Sequence, residues 1–318
     1  MDADRAILRQ LADGGFHSGE ELARSLGVSR AAVWKRIRRL GDLGLGFEGE
    51  RGRGYRLTEP FDLLDADAIR AALRQPVSGL DVLFDTPSTN QQLLDAPAVH
   101  GRAILAEYQH AGRGRRGRRW LCPPGSGICL SVGWHFSAPP ASLMLLSLLA
   151  GVCAVRALER CGCPGARLKW PNDLMAGNGK LGGVLIESRG QIAGPVDAVI
   201  GIGLNVRLPP AARAQIDQPA ADLADLGATL PSRNALAAAL IDELVEMLSS
   251  AGTPAWDRYL AEWHAHDAGR GREARLLLPG GEVRGRVEGV DASGLLLLRT
   301  DGGLQRYSTG ELSLRLEP

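Results

Sequence analysis

Gly112-Arg-Gly114-Arg-Arg-Gly117-Arg-Arg-Trp120, followed at once by Leu121-Cys-Pro123-Pro124-Gly125, decides what kind of chain this is. Five arginines and three glycines fall within nine residues of a protein whose formal net charge is only +1. Glycine lets a backbone wrap closely around a ligand, and arginine offers a fork of donors suited to carboxylate and phosphate oxygens. Such a loop is built for an anion, although an Arg/Gly run is also the composition of a flexible nucleic-acid-binding segment. The spacing Gly112-x-Gly114-x-x-Gly117, after the apolar Ala103-Ile-Leu-Ala-Glu107, also spells a dinucleotide fingerprint. That fingerprint needs a helix to open at its end and hold the pyrophosphate. Pro123, Pro124 and Gly125 forbid the helix. A doubly wound nucleotide fold is therefore excluded. A Walker A loop is excluded as well, because Gly179-Lys180 is followed by Leu181 and no Ser or Thr is placed to hold Mg²⁺.

Outward from the loop, the next signal is scarcity. Lys35, Lys169 and Lys180 are the only lysines, so 34 of the 37 basic residues are arginine. Two of the three lie in Lys169-Trp-Pro-Asn-Asp173 through Lys180-Leu-Gly-Gly183. A compact ammonium retained in an arginine-dominated chain points to work that a bulky planar fork cannot do. Pro171 rigidifies a turn that presents Asn172 and Asp173 beside Lys169. Upstream, Ser88-Thr89-Asn90 follows an apparent strand; these side chains either hydrogen-bond an uncharged polar ligand or cap a helix starting near Gln91. Gln109 immediately precedes the loop, and Gly201-Ile-Gly203-Leu-Asn205 ends another apparent strand with an amide. No Ser-His-Asp or Cys-His arrangement is evident, so the chemistry rests on positioning and on neutralising charge. That is the requirement of adenylation, where a carboxylate must approach the α-phosphate of ATP although both are anions.

Composition sets the outer limits. A length of 318 residues allows two or three domains, and 45% hydrophobic with 23% charged residues is ordinary for a soluble globular protein. The most apolar run, Ala141 to Val155, is too short to cross a bilayer and reads as a buried helix. The start, Met1-Asp-Ala-Asp-Arg5, lacks a signal-peptide pattern, and five cysteines fit reduced thiols, so a cytoplasmic location is expected. Cys161-Gly-Cys163 and His264-Ala-His266 each supply only half a metal site.

Three domains are expected. In residues 1–63, Ser18-Gly-Glu-Glu21 is a capping box opening a helix, and Gly27 supplies a turn. Ser29 caps a second helix whose Val33, Ile37 and Leu40 share one face, while Arg30, Trp34, Lys35 and Arg38 share the other. Phe47 to Leu57 alternates around glycines as a wing. This is a winged helix-turn-helix pattern, and from Ser29 to Arg56 eight basic residues face three acidic ones, a DNA-binding balance. Residues 64–267 mix strands (Leu80–Phe84, Ala103–Glu107, Ile128–Trp134, Val184–Glu187, Ala198–Ile202) with helices (Leu143–Glu159, Ala235–Ser249). That order suggests an α+β mixed sheet with helices on one face. Residues 268–318 hold short strands (Ala274–Leu278, Glu282–Val287, Gly294–Thr300, Leu304–Ser308) cut by Pro279-Gly-Gly281, Asp291-Ala-Ser-Gly294 and Asp301-Gly-Gly303, suggesting a small SH3-like barrel.

Taken together, Ser88-Thr-Asn90, Glu107-Tyr-Gln109 through Arg118, Lys169-Trp-Pro-Asn-Asp173, Lys180-Leu-Gly-Gly183 and Gly201-Ile-Gly-Leu-Asn205 resemble the biotin protein ligase family. With the winged helix, the whole chain is similar to the bifunctional form that also represses the biotin operon. The resemblance implies that biotin and ATP give biotinyl-5′-AMP, and that biotin then passes to a lysine of a biotin carboxyl carrier protein, as in acetyl-CoA carboxylase. It implies biotin contacts from Ser88, Thr89, Asn90 and Gln109, and a loop closing over the ligand through Arg113, Gly114 and Arg115. Lys180 is implied at the biotin carboxyl and α-phosphate, with Asp173 orienting Mg²⁺ or that lysine. Arg118, Asn172, Asn205 and Arg315 are implied at the nucleotide. Ala220 stands where the family's best-known repressor has a tryptophan against adenine. The family further implies an adenylate-bound homodimer on operator DNA. The empty loop, whose like charges repel, is expected to lack fixed structure until it folds onto adenylate. A lipoate ligase would share the fold but needs a pocket for a dithiolane, and a non-catalytic biotin sensor would not need Lys180 or the full loop.

Overall fold

The computed structural model describes residues 3–137, 143–190, 194–227, 229–278, 281–308 and 313–317. Its N-terminal unit is a trihelical module with a wing: α1 (Ala3–Leu11), α2 (Gly19–Leu26), α3 (Arg30–Asp42), β1 (Phe47–Glu50) and β2 (Gly54–Leu57). The Ser18/Glu21 capping box forms in both directions, and Gly27 ends α2 at φ +65, a left-handed angle that costs glycine little. Ser29 caps α3. Val33, Ile37 and Leu40 bury against Ile7, Leu8, Leu11 and Leu22.

The central unit is a seven-stranded sheet. Its strands are β3 (Gly79–Thr86), β4 (Arg102–Gln109), β5 (Gly127–Phe136), β6 (Arg167–Lys169), β7 (Asp173–Ala176), β8 (Gly179–Gly190) and β9 (Val196–Asn205). They lie in the order β3-β4-β5-β9-β8-β7-β6, with β3 and β4 parallel and every other pair antiparallel. Helices complete it: α4 (Ala66–Ala72), α5 (Thr89–Leu94), α6 (Leu143–Arg160), α7 (Pro210–Arg213), α8 (Arg233–Ser249) and α9 (Ala255–His266). Ala141 of the apolar run lies outside the described residues, and from Leu143 the run is α6. No described helix is long and apolar enough to cross a membrane.

The two faces of the sheet differ in side-chain size, and that difference creates the site. On one face Leu105, Leu130, Ile200 and Ile202 join Leu149 and Val152 of α6, Leu240 and Leu244 of α8 and Trp263 of α9 in a single core. On the other, Ile104 and Val199 form a small cluster with Leu93 and Leu94 of the short α5 and Leu83 of β3. Their strand neighbours there, Cys129, Ser131, Gly201 and Gly203, are small, because successive side chains alternate between faces. A depression is left above them.

The C-terminal unit is an antiparallel sheet, β13-β12-β11-β10-β14, built from β10 (Glu273–Leu278), β11 (Gly281–Val290), β12 (Leu296–Thr300), β13 (Gly303–Tyr307) and β14 (Ser313–Leu316). Pro279 and Gly280 of the expected turn lie outside the described residues. Leu276, Leu298 and Leu314 enter the same core as α6 and α8, and Trp170 donates to the Gly294 carbonyl at 3.1 Å.

The junction before β10 carries a buried acid. Asp267 is 4% exposed; its Oδ1 accepts the Gly269 N–H at 2.8 Å, while among the described residues its Oδ2 has no partner. Burial raises its pKa to about 6, which the Gly269 N–H and the nearby Arg167 and Arg270 oppose without reversing. The folded protein thus holds this proton up to about pH 6, whereas the unfolded chain releases it near the ordinary 3.8. Stability falls as pH rises through that window, because the folded state binds more protons there. Asp267→Asn keeps an acceptor for Gly269 and removes the charge. It is expected to stabilise the protein by up to about 3 kcal/mol at neutral pH and by little near pH 4. Thermal melts of both proteins across that range check this, and a gain that does not grow with pH contradicts it.

Candidate active site

The depression is the mouth of a cavity of about 400 Å³, bounded by the ends of β4, β7, β8 and β9, the Arg/Gly loop, the 215–220 segment and β14. Every pocket residue singled out in the sequence lines it: Ser88, Thr89, Asn90, Gln109, Arg113, Gly114, Arg115, Arg118, Asn172, Asp173, Lys180, Asn205 and Arg315.

At its closed end the cavity is polar but uncharged. Ser88 caps α5, accepting from Gln91 N at 3.4 Å, so the capping and lining readings both hold for that residue. Gln109 Oε1 accepts from the Thr89 backbone N–H (2.8 Å) and hydroxyl (3.1 Å), which turns the glutamine's own amide hydrogens away from that end. The fully buried Ser131 hydroxyl lies 2.7 Å from Thr89 Oγ1 and 2.6 Å from Asn90 Oδ1. Asn90 gives its amide hydrogens to Glu187 Oε2 (2.8 Å) and the Leu185 carbonyl (3.3 Å). Gly201 is required by this packing, since a Cβ there would sit 2.4 Å from Asn90 Oδ1.

At the open end stands a clamp of charge. The hairpin between β6 and β7, turning at a cis Trp170–Pro171 peptide, sets Lys169 and Asp173 opposite each other, and β8 brings Lys180 back alongside. Asp173 Oδ1 lies 2.6 Å from Lys180 Nζ and Oδ2 lies 3.2 Å from Lys169 Nζ. Burial alone would raise the Asp173 pKa; the two ammoniums reverse that and hold it below the ordinary value. Asn172 donates to the Val184 carbonyl at 2.7 Å and Asn205 to the Ala221 carbonyl at 2.9 Å, so both also brace the strands that carry the clamp. Lys180 bonds Pro219 and Ala221 through its backbone, which places Ala220 on the cavity wall. Burial, with Arg116 and Arg118 alongside, lowers the Arg115 pKa, and Asp173 acts against the fall.

The loop between these ends has its own bonds. Trp120 N–H donates to the Gly112 carbonyl (2.9 Å) and Gly114 N–H to the Arg118 carbonyl (2.7 Å) around a 3₁₀ turn at Arg115–Gly117. Arg116 sits at φ +61, and Arg113 reaches Gln91 Oε1 (3.1 Å) and Glu187 Oε1 (3.3 Å). Two contributors escaped the sequence reading. Trp120 packs against Gly203, whose Cβ would come within 2.5 Å of its ring, and lies 5.9 Å beneath Lys180 Nζ. Glu187 joins the floor to the loop; its signal was the one charge in the expected strand Val184–Glu187, two residues from pocket-lining Leu185. Nothing in the sequence distinguished Gln215 to Gln218, which also line the wall.

The winged helix forms a second candidate site. Arg30, Trp34, Lys35 and Arg38 are exposed together on α3, with Arg38 5.6 Å over the Trp34 ring. Four other basic residues of the segment turn elsewhere. Arg36 and Arg39 reach the buried Asp4 (2.8 and 3.4 Å), while Arg53 and Arg56 pair with Glu50 and Glu48 (2.7 and 2.6 Å) and stack on Phe16.

Sequence comparison covers the same three units. Residues 83–205 match the biotin/lipoate A/B protein ligase family, residues 4–56 an HTH domain and residues 271–315 the biotin protein ligase C-terminal domain. The bifunctional ligase/repressor BirA of Salmonella typhimurium is 40% identical over 311 residues, covering 97% of this chain and 96% of that one. The chain belongs to the bifunctional biotin protein ligase/repressor family. A biotin--[acetyl-CoA-carboxylase] ligase of Mycobacterium tuberculosis is 36% identical over 78% of this chain and 95% of its own length. Among solved structures, the biotin protein ligase of Aquifex aeolicus in complex with biotin and ATP aligns at 26% identity and a TM-score of 0.64, covering 76% of this chain and all of that one.

For a ligase of this family the expected Mg²⁺ near Asp173 meets a poor donor set. Both Asp173 oxygens already face an ammonium, and among the described residues no three His, Cys, Asp or Glu side chains form a group able to hold a metal. The residues there do not fit a resident cation. The floor gives a direct test of how closely the site is built. Gly201→Ala forces Asn90 aside within a buried polar network. It should cost about 1–3 kcal/mol of unfolding free energy, the usual penalty of overpacking. Denaturant titration measures it, and an unchanged midpoint would mean that the floor tolerates the methyl group.

Proposed function

We propose that this chain activates biotin with ATP and transfers it to a lysine of a biotin carboxyl carrier protein, and that it represses biotin genes through its winged helix. The observation that carries this reading is the pairing of an uncharged polar floor with a lysine clamp in one cavity. A cyclic urea has no charge to neutralise, only N–H and C=O groups, and Thr89, Gln109 and Ser88 match it. The carboxylate at the far end of the same ligand must meet the α-phosphate, and there Lys180, Arg115 and Arg118 supply positive charge.

In the first step a carboxylate oxygen attacks the α-phosphorus and pyrophosphate leaves, giving biotinyl-5′-AMP. Asp173 aims the Lys180 ammonium, while Lys169 holds the carboxylate from its other side. In the second step a neutral carrier lysine attacks the acyl carbonyl, AMP leaves and an amide forms. Asn172, Asn205 and Arg315 are assigned to the nucleotide. Mg²⁺ enters with the triphosphate as part of that substrate. We divide the chain at 1–63, 64–267 and 268–318, place it in the cytoplasm, and assign the adenylate-bound form as the homodimer that binds operator DNA. The uncharged, hydrogen-bonding floor favours a urea over the dithiolane of lipoate.

Biotinylation of a carrier domain in the presence of ATP tests the reading. Lys180→Ala and Arg115→Ala are each expected to slow pyrophosphate release by about 10²- to 10³-fold while melting near the parent temperature. Arg115→Ala should also let adenylate escape and acylate bystander proteins. Release by Lys180→Ala at the parent rate would remove that lysine from the mechanism. For the repressor half, biotin plus ATP should tighten operator binding by about 1–3 kcal/mol. Salt dependence should follow Arg30, Lys35, Arg38 and Arg51, about four phosphate contacts per protomer, because Glu50 and Glu48 already neutralise Arg53 and Arg56. Titrations at two salt concentrations, with and without ligands, check both; equal affinity in both ligand states would leave the winged helix outside adenylate control.

A further inference from the structure

Among the described residues, Glu187 is the one acidic side chain hydrogen-bonded to both the floor of the cavity and the loop that covers it. It lies in β8 opposite Val199, on the pocket face of the strand. Its two oxygens serve different elements: Oε2 accepts from Asn90 Nδ2 at 2.8 Å, and Oε1 accepts from Arg113 Nη2 at 3.3 Å.

The consequence for Asn90 is strict. Both amide hydrogens are committed to groups that can only accept, the Glu187 carboxylate and the Leu185 carbonyl. The amide therefore cannot flip, and its Oδ1 must face Ser131, which directs its hydroxyl hydrogen there across 2.6 Å. Ser131 in turn touches Thr89 Oγ1, and Thr89 holds Gln109 Oε1. The orientation of Asn90 and of the Ser131 hydroxyl thus starts from the carboxylate at the floor's edge, while the Thr89 backbone N–H fixes Gln109 separately.

The consequence for the loop is an anchor. Arg113 follows the glycine whose carbonyl closes the loop base with Trp120, and its guanidinium ends on Glu187 and Gln91. One carboxylate thus fixes the hydrogen-bond polarity beneath the ligand and ties down the segment above it.

We propose that Glu187 is a positioning residue for biotin: it orients Asn90 and latches Arg113, so that the loop closes only over a correctly polarised floor. This rests on the biotin ligase reading. Glu187 does not itself line the cavity and acts through Asn90 and Arg113, so its loss should weaken biotin capture and leave chemistry at saturation nearly intact.

The experiment compares the parent with Glu187→Gln and Glu187→Ala in carrier biotinylation, measuring KM for biotin and kcat separately. In Glu187→Gln an amide NH₂ must face either Asn90 or Arg113, donor against donor. KM for biotin should rise about tenfold, the equivalent of about 1.4 kcal/mol for a charge-assisted bond left unmade, with kcat within about threefold of the parent. The effect should shrink to less than about threefold when Arg113→Ala is already present, because latch and anchor act as a unit. A KM unchanged within twofold in both variants overturns the proposal. So does an effect fully additive with Arg113→Ala, or a lowered melting temperature accompanied by parent kinetics, which marks a purely structural carboxylate. Failure of the parent itself to biotinylate the carrier would instead overturn the ligase reading on which the proposal stands.

Discussion

A buried ion pair ties the linker that follows the winged helix to the central unit. Arg233, at the first turn of α8, meets Glu107 of β4 at 2.8 Å; the two are 2% and 1% exposed. Such a pair survives burial only if the remaining donors and acceptors are also satisfied, and here they are. The guanidinium donates to the Asp62 carbonyl at 2.8 Å and the Gly127 carbonyl at 2.9 Å; the carboxylate accepts from the Leu64 and Gly125 backbones. The linker from the winged helix, the long helix α8, strand β4 and the entry to β5 all converge on these two side chains. Removing either partner from such a site would strand a charge in the core, at a cost of about 3–5 kcal/mol. Two residues beyond Glu107 comes Gln109, so the floor of the cavity is hung from the same point.

From that anchor the sheet divides labour between its faces. Leucine, isoleucine and valine toward α6 and α8 supply the burial that stabilises the domain, and glycine, serine and cysteine on the opposite face leave room for a ligand. The short α5 is enough to cover the rest of that face, because the apolar cluster it shields is small: Ile104, Val199 and the partly buried Leu83. The same helix begins at Ser88-Thr89-Asn90, so closing the sheet and furnishing the cavity are one structural act.

Much of this was legible in the residues. The capping box at Ser18, the α3 face of Val33, Ile37 and Leu40, and the five long strands of the centre carry strong local patterns, and local patterns survive folding. The lysine scarcity pointed directly at Lys169 and Lys180, although not at their shared partner Asp173. Shorter or context-dependent elements were not legible. β6 has only three residues, and β7 is fixed by pairing with its neighbours rather than by its own alternation. The count of basic residues in the winged helix overstated its free charge, because Arg36 and Arg39 find Asp4 only after α1 has docked. Glu187 and Trp120 gain their meaning from residues 97 and 83 positions away, Asn90 and Gly203, and no local signal encodes such distances.

The clamp at Asp173 also determines how the molecule responds to reagents. Of three lysines, two have their ammoniums paired with one buried carboxylate, with side chains only 13% and 20% exposed, which shields them from reagents. Lys35 remains, exposed on the face of α3 that carries Arg30, Trp34 and Arg38. Among its side chains, amine-directed chemistry is therefore addressed to a single position. A fluorophore or cross-linker attached in this way becomes a reporter on the groove-reading helix rather than a label scattered over the surface.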